Sequence, residues 1–311
     1  MVRELVNRLS AAGFQASGDP CVFGLAAQAA VRAFQDARGL QADGVCDELT
    51  WQALVEASWA LGSRHLWEQT PNLRGDDVAE LQQQLGRLGF DAGRVDGIFG
   101  PATTRAVTEF QQNMAITADG ICGYDTFRAL QRLGARVADG PPIAAVREHE
   151  LLRDITPSLD RKRVAIGQLD DGLGDLRRTV GRQLRTAGAA VSELTMPDGS
   201  QCAREANTFQ ADVYLGLHGT NGTPSVCYYS VPGFESRGGR QLASLLAEHL
   251  FATLGVCDEP KGMRLAVLRE TRMPAVVCEL NPRAVDEHLA VLAAAITSAL
   301  RRWVEGPMPS T

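Results

Sequence analysis

Three hundred and eleven residues hold about two ordinary domains. With 45% hydrophobic and 22% charged residues the chain reads as globular, which excludes collagen-like, mucin-like and wholly disordered classes. A net charge of −6 and a pI near 5.5 leave no global basic field, so no nucleic-acid partner is expected. The longest nearly apolar stretch, 289–300, is shorter than the roughly 20 residues a membrane helix needs. Arg3 and Glu4 stand in a helical pattern without an apolar export segment. The seven cysteines are scattered and form no CxxC, which suits reduced thiols. A cytoplasmic location is the expectation.

The first half is a repeat. Offset by 76 residues, 2–54 align with 78–130 without a gap, and 21 of the 53 positions are identical. Matches include Leu5/Leu81, Leu9/Leu85, Gly13-Phe14/Gly89-Phe90, Phe34-Gln35/Phe110-Gln111 and Cys46/Cys122. Each copy reads as three short helices. In the second, Val78, Leu81, Leu85 and Leu88 fall at helical spacing and Gly89 ends the helix. Ala106, Val107 and Phe110 carry the next helix, which opens near Pro101, and Thr126, Phe127 and Leu130 the third. Leu73 to Asp77 are expected to cap the first helix of copy two, whereas copy one, starting at Val2, has no such cap.

Two loops of one signature join these helices, VDGIFGPAT at 95–103 and ADGICGYDT at 118–126. Asp-Gly is turn chemistry: Asp bonds its own backbone and Gly supplies positive φ. A Thr after each loop is placed to support the next helix start. The pattern resembles the three-helix peptidoglycan-binding domain of bacterial wall hydrolases. Copy two matches over its whole length; copy one departs from it in the first loop, GDPCVFGLAA, which has no Asp-Gly. The resemblance implies that the face around these loops binds glycan and stem peptide. The candidate residues are Asp43, Gly44, Asp96, Gly97, Phe99, Asp119 and Gly120, and the implied ligands are peptidoglycan fragments or precursors. Cys46 and Cys122, at equivalent positions beside Val45 and Ile121, read as core.

Gly140-Pro141-Pro142 breaks the chain, and from Arg163 the texture turns to α/β alternation. Strands are predicted at 164–167, 190–194, 212–218, 226–230 and 275–280, and helices at 175–186, 201–209, 237–254 and 284–303. The last two carry apolar faces at i, i+3 and i+4 for packing on a sheet. The expected architecture is multidomain: two all-α three-helix modules (1–58 and 76–135, joined by a connector at 59–75), then a linker at 136–160. An α/β domain with a central sheet flanked by helices follows at 161–305, with a tail at 306–311.

Ala206-Asn207 followed by ADVYLGLHGTN at 211–221, and RLAVLRETRMPAVVCEL at 264–280, resemble zinc-dependent N-acetylmuramoyl-L-alanine amidases of the amidase-3 type. The resemblance puts His218 on a histidine metal ligand and Glu279 on the general base. Zinc hydrolysis needs three protein ligands and one open position for water. The stretch 166–172, aligned with the family's first ligand motif, carries no histidine, and no Glu lies between Asp160 and Glu193. Asp170 and Asp171 are the nearest replacement ligands. With two wall-binding modules in front, the architecture resembles the cytosolic CwlM-type proteins of actinobacteria. That implies a regulatory binding protein of peptidoglycan precursor synthesis with a non-catalytic amidase domain. Its partner would be a cell-wall synthesis enzyme or membrane-bound complex, and no cofactor is expected. The alternative is a zinc amidase cleaving the bond between N-acetylmuramic acid and L-alanine.

Overall fold

The computed structural model describes residues 1–134, 158–196, 198–231 and 234–306. The expected linker at 136–160 lies outside the described residues as far as 157, as does the tail beyond 306. The helical region forms one unit and the α/β region a second.

In the helical unit, α1 (Val2–Ala11), α2 (Leu25–Ala37) and α3 (Glu48–Ala57) make the first module. The second comprises α4 (Asp76–Arg87), α5 (Pro101–Asn113) and α6 (Tyr124–Gly134). Each module closes over its own core, Leu5, Leu9, Val31, Phe34 and Leu54 in one and Leu81, Leu85, Val107, Phe110 and Leu130 in the other. The duplication extends to ring geometry: Phe14 meets Phe34, and Phe90 meets Phe110, edge to face at 5.5 Å and 89° in both. Gly89 takes φ +91° just past α4, so that Phe90 N–H donates to Leu85 C=O at 2.9 Å and closes the helix end.

One helix start differs from expectation: the N-cap of α4 is Gly75, with no side-chain cap, whereas α1 starts from Met1 without one, as expected. The Asp77 carboxylate instead accepts from its neighbour Val78 N–H and from Arg64. Residues 59–75, read from sequence as a connector, form a strap packed onto the second module. Leu61 and Leu66 belong to its core, and Leu66 exchanges backbone hydrogen bonds with Cys122 at 2.8 and 3.2 Å. Phe99 N–H donates to Leu73 C=O at 2.9 Å, and Arg64 pairs with the buried Asp77 at 2.7 Å.

The α/β unit is built on a seven-stranded sheet: β1 (Arg163–Gln168), β2 (Ala190–Thr195), β3 (Val213–Gly219), β4 (Ser225–Val231), β5 (Phe234–Glu235), β6 (Lys261–Met263) and β7 (Ala275–Leu280). The order is β2-β1-β3-β7-β4-β5, with β6 also pairing β4. β2, β1, β3 and β7 run parallel, and β4 lies antiparallel to β7. The five strands predicted are all present within two residues at either end. The two- and three-residue strands β5 and β6 are too short to show a period. After a 3-10 turn (Asp171–Leu173), the helices are α7 (Gly174–Thr186), α8 (Gly199–Thr208), α9 (Arg237–Leu254), α10 (Ala266–Glu270) and α11 (Pro282–Glu305). One sheet face, with Ile166, Leu215, Leu217, Val276 and Cys278, shares a core with α7, α9 and α11. On the other face Gly167 and Gly216 leave room for the buried Tyr214 ring.

Candidate functional site

Two places bring the sequence-predicted residues together. In the helical unit, the Asp-Gly loops are organised by glutamines. The Gln111 side chain donates to Asp119 Oδ1 (2.8 Å), Ile121 C=O (2.9 Å) and Thr126 Oγ1 (3.0 Å), and accepts from Gly120 N–H (2.9 Å). Gln82 does the same for the other loop, donating to Asp96, Ile98 C=O and Thr103 and accepting from the N–H groups of Asp96 and Gly97. Gln35 repeats the pattern with Asp43, Gly44, Val45 and Thr50. All three glutamines are about 2% exposed or less. Gly44, Gly97 and Gly120 take φ of +78°, +69° and +73°, a turn that a Cβ would strain.

Each knot therefore has three parts, Gln, Asp-Gly and Thr. The first loop of copy one lacks all three together: Val6, Pro20 and Ala27 stand where Gln82, Asp96 and Thr103 stand in copy two. The threonines, expected to support helix starts, are partners of the glutamines. Gln35 and Gln111 were visible as an identity within an apolar helix face, which is the signal that could have revealed them.

Asp43, Asp96 and Asp119 thus spend their carboxylates inside the loops. Asp119 is held below the usual carboxylate range, first by the Ile121 N–H. Phe99 is fully buried and serves the core, so it is removed from the ligand-facing set. The large hydrophobic side chains exposed at the 118–126 loop are Tyr124 and, on the strap, Trp67. Cys122 is buried, its thiol pushed up to about 12 by burial, whereas Cys46 is only partly covered.

The second place is the carboxyl edge of the parallel strands, at the switch point between β1 and β3, where the chain leaves β1 towards β2 on one side and leaves β3 towards β4 on the other. His218 near the end of β3 and Glu279 near the end of β7 are register partners, with Nδ1 to Oε1 at 3.9 Å. Ser225, the first residue of β4, is also opposite Glu279 and donates to its Oε2 at 2.6 Å. Sequence reasoning missed Ser225. The Glu279 carboxylate raises the His218 pKa, opposed by burial, and His218 in turn lowers that of Glu279. Asp170, two residues beyond β1, accepts from Gly172 N–H at 2.8 Å with one oxygen and from Gly219 N–H with the other. Asp171 opens the 3-10 turn, and its side chain lies outside the described residues.

This donor set does not fit a catalytic zinc. Both Asp170 oxygens accept from backbone N–H groups, Glu279 is shared between Ser225 and His218, and among the described residues His218 is the single imidazole at the edge. Among the described residues no three His, Cys, Asp or Glu side chains are grouped to hold a metal ion.

The family model of peptidoglycan binding domains matches residues 1–54 and again 74–130. The chain is 37% identical over 284 residues to the N-acetylmuramoyl-L-alanine amidase CwlM of Mycobacterium tuberculosis, covering 81% of this chain and 70% of that protein. The chain belongs to the CwlM family of N-acetylmuramoyl-L-alanine amidases. The amidase CwlL of Bacillus licheniformis is 32% identical over 154 residues, 42% of this chain and 43% of its own length. Among solved structures, the N-acetylmuramoyl-L-alanine amidase of Clostridium difficile 630 aligns over 48% of this chain and 100% of its own, at 15% identity and a TM-score of 0.38. Family membership is thus fixed by sequence, with peptidoglycan-binding domains within residues 1–130 followed by an amidase-like domain.

Proposed function

We propose that this member of the amidase family is a cytosolic binding and regulatory protein of peptidoglycan precursor synthesis whose amidase-like domain does not hydrolyse. The observation that carries the reading is Asp170. The strand end that should offer the first metal ligand offers a carboxylate already tied to two backbone N–H groups, one of them adjoining His218. A ligand pulled out of that clasp would leave the half-buried Gly219 N–H without this partner, a cost of about 1–3 kcal/mol, while the exposed Gly172 N–H would turn to water.

The second helical module, with both knots intact, binds peptidoglycan fragments or precursors at the loop face that carries Tyr124 and Trp67. A cell-wall synthesis enzyme or membrane-bound complex is the protein partner. Metal analysis of the purified chain, followed by incubation with muropeptides, tests the reading. Well under one zinc per chain and no release of free stem peptide are expected. Stoichiometric zinc with hydrolysis abolished by Glu279→Ala would overturn it in favour of a zinc amidase.

A further inference from the structure

The two modules differ in what covers one face. In the second, the strap lies over Val78, Phe99 and Cys122, and these are 0%, 0% and 3% exposed. At the equivalent positions of the first, Val2 and Cys46 are only partly buried and Phe23 is 43% exposed. Val22 on the same loop, Leu25 at the start of α2, and Val45 next to Cys46 are exposed as well. The backbone repeats the contrast. Cys122 exchanges both of its hydrogen bonds with Leu66, and Phe99 N–H donates to Leu73. Among the described residues, Phe23 N–H and both Cys46 backbone groups have no such partner. The same fold therefore presents, once covered and once bare, a short edge that pairs with an extended chain, flanked by apolar side chains that receive its leucines.

We propose that this face of the first module docks an extended segment of a partner polypeptide. The partner would pair its backbone with Cys46 and Phe23 and seat apolar side chains spaced as Leu61, Leu66 and Leu73 are in the strap. The occupant is read from the second module, where the homologous face already holds such a segment with that spacing. Main-chain pairing supplies the affinity and the apolar anchors supply the selectivity, the logic of strand addition to an open edge. The strap's cation is not part of the motif: Arg64 pairs with Asp77, and Met1 stands at the position equivalent to Asp77. The partner segment is thus apolar and needs no basic residue there. The inference is independent of whether the amidase-like domain is catalytic.

The probe is a fluorescein-labelled synthetic peptide with the sequence of residues 59–75, titrated into the full chain by fluorescence anisotropy and mapped by amide shifts. Saturable binding is expected, with shifts centred on residues 22–24 and 45–47. Phe23→Ser in the protein, or Leu66→Asp or N-methylation of Leu66 in the peptide, should each weaken binding at least tenfold. No binding, or shifts centred on Phe99 and Cys122 through displacement of the resident strap, would overturn the proposal. A concentration-dependent dimer that Phe23→Ser dissolves would assign the face to a second copy and overturn it too. So would a native form with further residues before Met1 in which those amides are already protected and the peptide is refused.

Discussion

Replacing Gln82 with alanine tests whether the loops are held by their glutamines. The Gln82 side chain makes five hydrogen bonds of 2.8 to 3.2 Å to the 95–103 loop and to Thr103, and it is 2% exposed. A net bond contributes about 0.5–1.5 kcal/mol, whereas a buried group left without a partner costs about 1–3 kcal/mol. Asp96 and Ile98 lie close enough to the surface for water to replace their bonds, while the Gly97 N–H and Thr103 hydroxyl are buried. Thr103 keeps its hydroxyl bond to Ala92 C=O, so the lost bond to the buried Gly97 N–H and the lost packing give a cost of about 2–3 kcal/mol. Hydrogen exchange with mass spectrometry on the full chain reads this locally, because peptides from 76–134 report the second module alone. Thr103→Ala should cost about 1–2 kcal/mol by itself and close to nothing in the Gln82→Ala background. A Gln82→Ala cost below about 1 kcal/mol, or two costs that simply add, would refute the knot as a unit.

Gly120→Ala should destabilise the second module by about 1–2 kcal/mol from its positive φ, and more if Thr104 and Thr108, each 3.1 Å from the added Cβ, do not yield; urea unfolding monitored by exchange measures it. Gly167→Ala would place a Cβ 1.8 Å from the Tyr214 hydroxyl, so the α/β unit should lose at least about 3 kcal/mol or fail to fold, as its cooperative melting would report. In native protein a thiol reagent should label the exposed Cys21 first and leave Cys122, Cys227 and Cys278 protected, since burial holds these three thiols protonated; mass spectrometry of the labelled chain counts them. His218 should titrate above its ordinary 6.5 by NMR, and Glu279→Gln should bring it down. The His218 contribution to stability is complete below 6.5 and lost as pH rises through the raised value, and that of Glu279 is lost as pH falls below 4.5, so acid and alkali both weaken the pair.

What the sequence made legible followed from period and duplication. The five long strands and four long helices of the α/β unit alternate in a pattern that buried aliphatic residues enforce, so their positions could be read within two residues. The strap could not: 59–75 pairs at isolated positions and anchors through Leu61 and Leu66, too sparsely for any period to show. Capping misled for a related reason, since Asp77 has the right type and place for a cap but is claimed by Arg64 from the strap. At the carboxyl edge, His218 and Glu279 were visible through resemblance. Ser225 was not, because nothing local marks a serine at a strand start as the partner of a carboxylate 54 residues away. The inward turn of Asp170 depended on Gly219, again a contact between distant segments.

The reversed direction of β4 has a consequence for how such an edge can change over time. In a wholly parallel sheet the carboxyl edge receives only residues from strand ends and the loops that leave them, so chemistry there varies through outgoing loops. β4 enters at that edge, and the loop at 220–224 both leaves β3 and delivers Ser225. A short insertion or deletion in those five residues would shift two occupants at once, the neighbourhood of His218 and the hydroxyl that anchors Glu279. The edge is therefore most sensitive to length at one loop whose own side chains need never touch a ligand.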